Sequence, residues 1–80
     1  MPPVETRTVT ELLEEATMSD PGTIAPDASL PDVEGWDSMG MVMFISLVTE
    51  RYGVELSAHD IRECTTAEAM ASRVSELVGG

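Results

Sequence analysis

Within the stretch Gly35-Trp36-Asp37-Ser38-Met39-Gly40, a long loop ends and the most apolar helical segment of the chain begins. Residues 39–52 read MGMVMFISLVTERY, which contains no proline and enough apolar side chains to be helical whichever face is considered. A helix that begins here places Ser38 in its first turn, where backbone N–H groups lack intrahelical partners and the helix dipole is positive. A phosphate ester on Ser38 would be stabilised by that field.

Ser38 also has a simpler interpretation as a capping residue. Serine and aspartate are both favoured at the position that caps a helix N-terminus. Asp37 could make the same interaction, and two candidate caps in succession leave one of them unexplained. Spacing alone therefore keeps both interpretations of Ser38 open, a cap and a site of modification.

Three segments of the sequence resemble the acyl carrier protein family. The first is Asp37-Ser38-Met39 before an apolar helix, where the family pattern is Asp-Ser-Leu. The second is the turn Arg51-Tyr52-Gly53-Val54-Glu55-Leu56, where the family has an aromatic residue followed by Gly-Ile/Val-Glu-Ile. The third is Cys64-Thr65-Thr66-Ala67-Glu68-Ala69, which is similar to the Thr-Thr opening of the family's last helix. Their order and spacing match the family over nearly the whole chain.

The resemblance implies a function for Ser38. In that family a phosphopantetheinyl transferase attaches 4′-phosphopantetheine from coenzyme A to this serine, and Asp37 would help the transferase to recognise it. The thiol of the arm then carries acyl groups as thioesters between enzymes of polyketide or fatty-acid biosynthesis, such as a ketosynthase. The resemblance implies that the chain itself is not an enzyme. Met39 takes the place of the family's leucine.

Two features depart from the family pattern. Glu50 and Arg51 are the only charged residues in segment 39–52, where the family places several glutamates that meet basic partner enzymes. The second is Gly40, because glycine destabilises a helix interior by about 1 kcal/mol, although by less in a first turn. The motif Asp-Ser-Met-Gly is similar to that of D-alanyl carrier proteins. Two alternatives therefore stay open. The chain could be an aminoacyl carrier that an adenylating enzyme loads, or a helical interaction module that is never modified.

Composition restricts the class of protein. We expect residues 1–80 to form a single domain, because 80 residues suffice for one small core. Fifteen acidic residues face four arginines and no lysine, and the net charge of −11 argues against nucleic acid as a partner. The single cysteine allows no internal disulfide, and no apolar run is long enough to cross a bilayer. We therefore expect a cytoplasmic monomer that has neither a metal nor a membrane as a partner.

Helical periodicity predicts an all-α fold, a small four-helix bundle with a long first loop and a short third helix. The first helix lies between Glu5 and Met18. Thr8 and Glu11 fit a capping box at its start, and Thr6 is a possible earlier start. After Ser19-Asp20-Pro21-Gly22, the loop continues to Asp37. Its expected core anchors are Ile24, Leu30, Val33 and Trp36.

The C-terminal third is predicted from its turn and capping residues. Gly53 suits the left-handed conformation that ends the second helix. The short helix begins at Ser57 with Asp60 as its capping partner, and its residues Ile61 and Cys64 point inward. Thr65 and Thr66 cap the last helix, whose apolar residues are Ala69, Met70, Val74, Leu77 and Val78.

The second helix has a core face and an outer face. At 100° per residue, one side carries its largest apolar groups, Met41, Phe44, Ile45, Val48 and Tyr52. The opposite side carries Met39, Met43, Ser46 and Glu50, with Val42 on its flank. Methionine commonly fills gaps in a core, and we expect this of Met39 because it takes the place of the family's leucine, whereas we expect Met43 to point outward. An exposed apolar patch beside Ser38 suggests docking by burial of apolar surface. The candidate residues for partner recognition are Asp37, Met39, Val42, Met43 and Ser46.

Other chemistry has weaker support. Ser38 is followed by Gly40 as in a nucleophile elbow, but Trp36 stands where the first glycine belongs. Cys64 has only His59 as a possible companion, and a lone cysteine more commonly packs in a core. The acidic residues of segment 32–37 do not have the ligand spacing of a calcium-binding EF-hand.

Overall fold

The computed structural model describes residues 4–79 of the chain. Four α-helices and one short 3₁₀ turn make up this region, and the bounds of the helices are α1 Thr6–Thr17, α2 Ser38–Tyr52, α3 Ala58–Glu63 and α4 Ala67–Gly79. The 3₁₀ turn, Leu30–Asp32, lies within the long loop between α1 and α2. The predicted all-α four-helix bundle with a long first loop and a short third helix is therefore confirmed.

Helix α1 begins one turn earlier than the predicted capping box. Its N-cap is Glu5, which makes no side-chain capping bond. The N–H of Val9 already donates to the carbonyl of Glu5 at 3.2 Å, so Thr8 lies inside the first turn. The predicted capping box of Thr8 and Glu11 is therefore wrong, and the alternative start at Thr6 is confirmed.

The core lies where α1 packs against α2 on one side and α4 on the other. Its largest fully buried side chains are Phe44, Leu13, Leu30 and Met70. The rings of Trp36 and Phe44 pack edge to face, with ring centroids 5.7 Å apart and an interplanar angle of 69°. This edge-to-face contact is favourable for aromatic pairs. It attaches the end of the long loop to the core side of α2.

The predicted loop anchors are confirmed. Ile24 and Leu30 are buried, while Val33 and Trp36 are partly buried against the core. Backbone hydrogen bonds add to this attachment, because the N–H of Leu30 donates to Thr65 at 2.8 Å. The long loop thus has a defined path between the helices, although it contains little regular structure.

The long loop also completes the start of α4. The carbonyls of Ala28 and Pro26 accept the N–H groups of Ala67 and Glu68 at 3.2 Å and 2.8 Å. The Thr66 hydroxyl accepts the N–H of Ala69 at 3.1 Å. Of the two threonines predicted to cap α4, Thr66 makes this side-chain bond. These bonds satisfy first-turn N–H groups, which have no partner within a helix.

Helix α3 is held to α4 by charged groups. Ser57 and Asp60 form a complete capping box, as predicted. Arg73 of α4 donates to Asp60 and also to Glu63 of α3, the latter at 2.7 Å. The Asp60 carboxyl accepts hydrogen bonds from Ser57 and from Arg73. These bonds, those from Ser57 first, hold the pKa of this carboxyl below its usual value. Ile61 is buried, as predicted.

Candidate functional site

Ser38 is the first residue of α2, and its side chain is exposed. The residue before it, Asp37, is the N-cap: its Oδ1 accepts the N–H of Gly40 at 3.0 Å. The carbonyl of Asp37 accepts the N–H of Met41 at 2.8 Å. Asp37 is therefore the residue that caps α2. The Ser38 hydroxyl is not needed for capping, and it lies at the positive end of the helix dipole.

Two glycines fix the position of this helix start. Gly40 is buried, and a Cβ atom there would overlap the carbonyl oxygen of Gly35. Gly35 has φ of 92°, and a Cβ atom on it would lie 2.6 Å from the carbonyl oxygen of Thr17. The backbone of the loop is thus packed between the end of α1 and the first turn of α2. The sequence analysis did not predict this contact, although the two glycines are its signal in the sequence.

The outer face of α2 is apolar next to Ser38. Val42 is 63% exposed and Met43 is 51% exposed, so the prediction that Met43 points outward is confirmed. Together with Ser38, Met39 and Ser46, these residues line one shallow depression. The opposite face contributes buried Phe44 and Val48 and partly buried Met41, Ile45 and Tyr52. The assignment of the two faces from the helical wheel is therefore confirmed.

Met39 is the exception. It is 82% exposed, so the expectation that it fills a gap in the core is wrong. The reason is its position on the helical wheel. At about 100° per residue, Met39 lies roughly 140° from Phe44 and roughly 180° from Val48, both of which are fully buried, so its side chain faces solvent. Met39 thus joins the exposed apolar patch.

The surroundings of Ser38 are acidic. Asp32, Glu34 and Asp37 are all exposed on the loop that leads to it. Segment 8–50 contains no lysine, arginine or histidine. The site therefore combines an apolar helix face with a negatively charged loop. Such a combination favours a partner that is apolar and positively charged.

The other groups considered for chemistry are placed differently. Cys64 is buried, and its burial raises the pKa of the thiol, so the nucleophilic thiolate is disfavoured. Across residues 4–79, no three His, Cys, Asp or Glu residues come together as a possible metal site. No helix of this described region is long and apolar enough to cross a membrane.

Comparison with known proteins identifies a family. The family model described as "phosphopantetheine attachment site" matches residues 7–74. No curated protein and no solved structure matched the chain. Members of this family carry covalently attached 4′-phosphopantetheine. Transferases that attach the arm and enzymes that handle its cargo are their general partners.

The residues at the start of α2 suit such an arm. A serine hydroxyl is exposed, and it lies at a helix end whose N–H groups and dipole favour a phosphodiester. Carrier domains of this kind do not themselves catalyse a reaction. The matched region covers most of the chain and includes the whole of α2. The chain therefore belongs to the phosphopantetheine attachment-site family, and its role is that of a phosphopantetheine carrier.

Proposed function

We propose that the chain is an acyl carrier protein in which Ser38 receives the 4′-phosphopantetheine arm. This proposal rests on the different roles of two neighbouring residues. Asp37 caps α2, and Ser38 is exposed in the first turn without a capping role. The arm's thiol then holds acyl groups as thioesters and delivers them to biosynthetic enzymes of the polyketide or fatty-acid type. The chain carries the cargo and catalyses none of these steps.

Attachment of the arm requires a partner enzyme. The Ser38 oxygen forms a new bond to the phosphorus next to the pantetheine in coenzyme A, and the bond from that phosphorus to the nucleotide part breaks. The serine proton must pass to a base. The neighbouring carboxylate of Asp37 is engaged in the helix cap, so we assign the base to the phosphopantetheinyl transferase.

We further propose that partner enzymes dock on the outer face of α2. Met39, Val42 and Met43 are large, exposed and apolar, and they line the same depression as Ser38 and Ser46. Exposed apolar patches of this kind mark interaction sites, and methionine adapts to differently shaped partners. Burial of this patch replaces the charge contacts that the family's usual glutamates would make along the helix.

An aminoacyl cargo is the second candidate. It rests on the motif Asp37-Ser38-Met39-Gly40, which is similar to that of D-alanyl carriers. In this fold, however, Gly40 is required by its contact with Gly35 whatever the cargo is. The glycine therefore adds little weight to the aminoacyl alternative. Incubation of the loaded protein with adenylating enzymes, ATP and amino acids, followed by intact mass measurement, would distinguish the two cargo classes.

The attachment site is tested by mass spectrometry. We expect the wild-type protein to gain the mass of one phosphopantetheine when it is incubated with coenzyme A and a promiscuous transferase. Ser38→Ala should gain nothing while its helical circular dichroism is unchanged. Ser72→Ala, at an exposed serine of α4 away from this face, is the matched control and should be loaded normally. Loading of Ser38→Ala, or none of the wild type, would overturn the proposal.

Asp37 allows capping and recognition to be separated in the same assay. Asp37→Ala removes the cap and should lower the free energy of unfolding by about 1 kcal/mol. Asp37→Asn keeps a capping oxygen and should be nearly as stable as the wild type, but it lacks the negative charge. If the transferase recognises that charge, both variants are loaded slowly. Wild-type loading of Asp37→Asn would instead limit this residue to capping.

A further inference from the structure

The end of α1 contains an unusual methionine. Met18 has φ of 58° and is the only residue other than glycine with a positive φ within residues 4–79. Its side chain is 93% exposed. Helices that end in this left-handed conformation usually place glycine or asparagine there, because a Cβ atom makes it unfavourable. Neither backbone conformation nor core packing therefore accounts for a methionine at this position.

Met18 lies at the same end of the molecule as Ser38. Helices α1 and α2 are antiparallel: Leu12 and Leu47 line one groove, while the carbonyl of Thr17 meets the loop that packs on the first turn of α2. Met18 also lines a depression with Gly35, whose carbonyl faces Gly40. The end of α1 is therefore adjacent to the start of α2.

The exposed methionines of α2 lie on the same side of the helix axis relative to α1. On the helical wheel of α2, Gly40 faces α1. At about 100° per residue, Met43 lies roughly 60° and Met39 roughly 100° from the direction of Gly40, both in the same sense. We call Met18, Met39 and Met43 the methionine surface. Met39 and Met43 line the depression at Ser38, and Met18 lines the depression at the end of α1.

The charge next to Met18 is negative. Asp20 and Glu34 line the same depression as Met18. The last turn of α1 contains no basic residue, and the C-terminal end of a helix dipole is itself negative. On the other flank of α2, the depression that contains Met41 is lined by Arg62. A positively charged partner is therefore favoured on the α1 side.

We propose that the phosphopantetheinyl transferase that loads Ser38 also contacts Met18, placing apolar groups on the methionine surface and a lysine or arginine over Asp20 and Glu34. This inference rests on the proposed function of Ser38. A stable interface covers about 800 Å² per partner, or about one sixth of the 4946 Å² of accessible surface, and the end of α1 adjoins the start of α2 that carries Ser38. A second copy of the chain is disfavoured, because each copy has a net charge of −11.

The contact with Met18 is tested by a substitution that relieves the backbone. Met18→Gly should not lower the melting temperature, since glycine adopts a positive φ freely. With coenzyme A and a promiscuous transferase as the probe, we expect its loading kcat/KM to fall roughly three- to tenfold, as for one well-placed interface side chain. Met18→Leu keeps an apolar side chain and should be loaded nearly as well as the wild type. Leu77→Ala removes an exposed apolar side chain from α4 and should leave loading unchanged.

The charge contact is tested separately by the double variant Asp20→Asn/Glu34→Gln. We expect slower loading at low salt and a weaker dependence of kcat/KM on salt, because screening acts on the charges removed. The matched control, Glu11→Gln/Glu55→Gln, removes the same charge from exposed positions elsewhere. If the wild type is loaded while Met18→Gly and the Asp20/Glu34 variant match their controls, this inference is wrong and the proposed function stands. If the wild type is not loaded, both fail.

Discussion

Gly40 has the tightest backbone contact at the start of α2. In an exposed helix, glycine to alanine is stabilising by about 1 kcal/mol. Here a Cβ atom would overlap the carbonyl of Gly35, whose own position is fixed against Thr17. The atoms that a Cβ on Gly40 would meet all belong to the backbone. Overpacking of this kind typically costs about 1–3 kcal/mol. The contact therefore outweighs the helix propensity.

We predict that Gly40→Ala lowers the free energy of unfolding by about 0.5–2.5 kcal/mol, which is the overpacking cost of about 1–3 kcal/mol less a gain in helix propensity of about 0.5 kcal/mol in the first turn. Urea unfolding measures this directly. Ser46→Ala, on the exposed face of the same helix, should change it by less than about 0.5 kcal/mol. A Gly40→Ala variant more stable than the wild type would show that the loop at Gly35 can move aside.

The two faces of helix α2 have different roles: one face stabilises the fold, and we propose that the other binds partners. Phe44 and Val48 are fully buried, whereas Met43 is half exposed beside the Ser38 depression. We predict that Met43→Glu changes the free energy of unfolding by less than about 1 kcal/mol, as surface substitutions usually do. The added charge should nevertheless weaken binding to the cognate acyl-handling enzyme, because an apolar contact is lost.

Thermal unfolding and a binding titration together decide the role of Met43. Thr49→Glu is a control that adds the same charge to an exposed position on α2. A large fall in the melting temperature of Met43→Glu would place Met43 in the core. Unchanged stability together with unchanged partner affinity would remove this face from the interface.

Helices α3 and α4 are coupled through Asp60, and the coupling depends on pH. The pKa of Asp60 is lowered in the folded state, first by hydrogen bonds from Ser57 and then by Arg73. A lowered pKa means that the carboxylate stabilises the fold above its ordinary value of 3.8, and that this stabilisation is lost as the pH falls through the lowered value. We expect Asp60→Asn to be less stable than the wild type at neutral pH, and the difference to shrink in acid.

Urea unfolding at neutral pH and at about pH 3, below the ordinary pKa of aspartate, measures that difference. Arg73→Met removes the partner on α4. In that background, the effect of Asp60→Asn and its pH dependence should both be smaller, as in a double-mutant cycle. An Asp60→Asn effect that is independent of both pH and Arg73 would contradict the assignment.

The elements show what the sequence could and could not predict. Periodicity and caps predicted the four helices, the capping box at Ser57 and the exposed face of α2, because these depend on residues a few positions apart. The contact of Gly35 with Thr17 and the hydrogen bond from Ala67 to Ala28 instead join segments that are far apart in the sequence. The first turn of α1 offered more than one local start, and only the assembled fold distinguishes them.

In the molecule as a whole, negative charges far outnumber positive charges. The net charge of −11 is distributed over dimensions of 31 × 23 × 21 Å. Ion pairs are concentrated on α3 and α4, where Arg73 meets Asp60, Glu63 and Glu76. Segment 8–50, which includes the long loop, has no basic side chain to offset its carboxylates. Repulsion within this part of the molecule therefore opposes the compact state.

We predict that the melting temperature rises when salt is added at neutral pH. Between about 0.01 M and 0.15 M NaCl the Debye length falls from about 30 Å to about 8 Å. Repulsion that spans the 31 Å length of the molecule in dilute buffer is thereby confined to near neighbours. Salt also weakens the ion pairs of Arg73, but these are few compared with the uncompensated carboxylates. Thermal unfolding by circular dichroism at several NaCl concentrations measures the balance, and a constant or falling melting temperature would show that the ion pairs outweigh the repulsion.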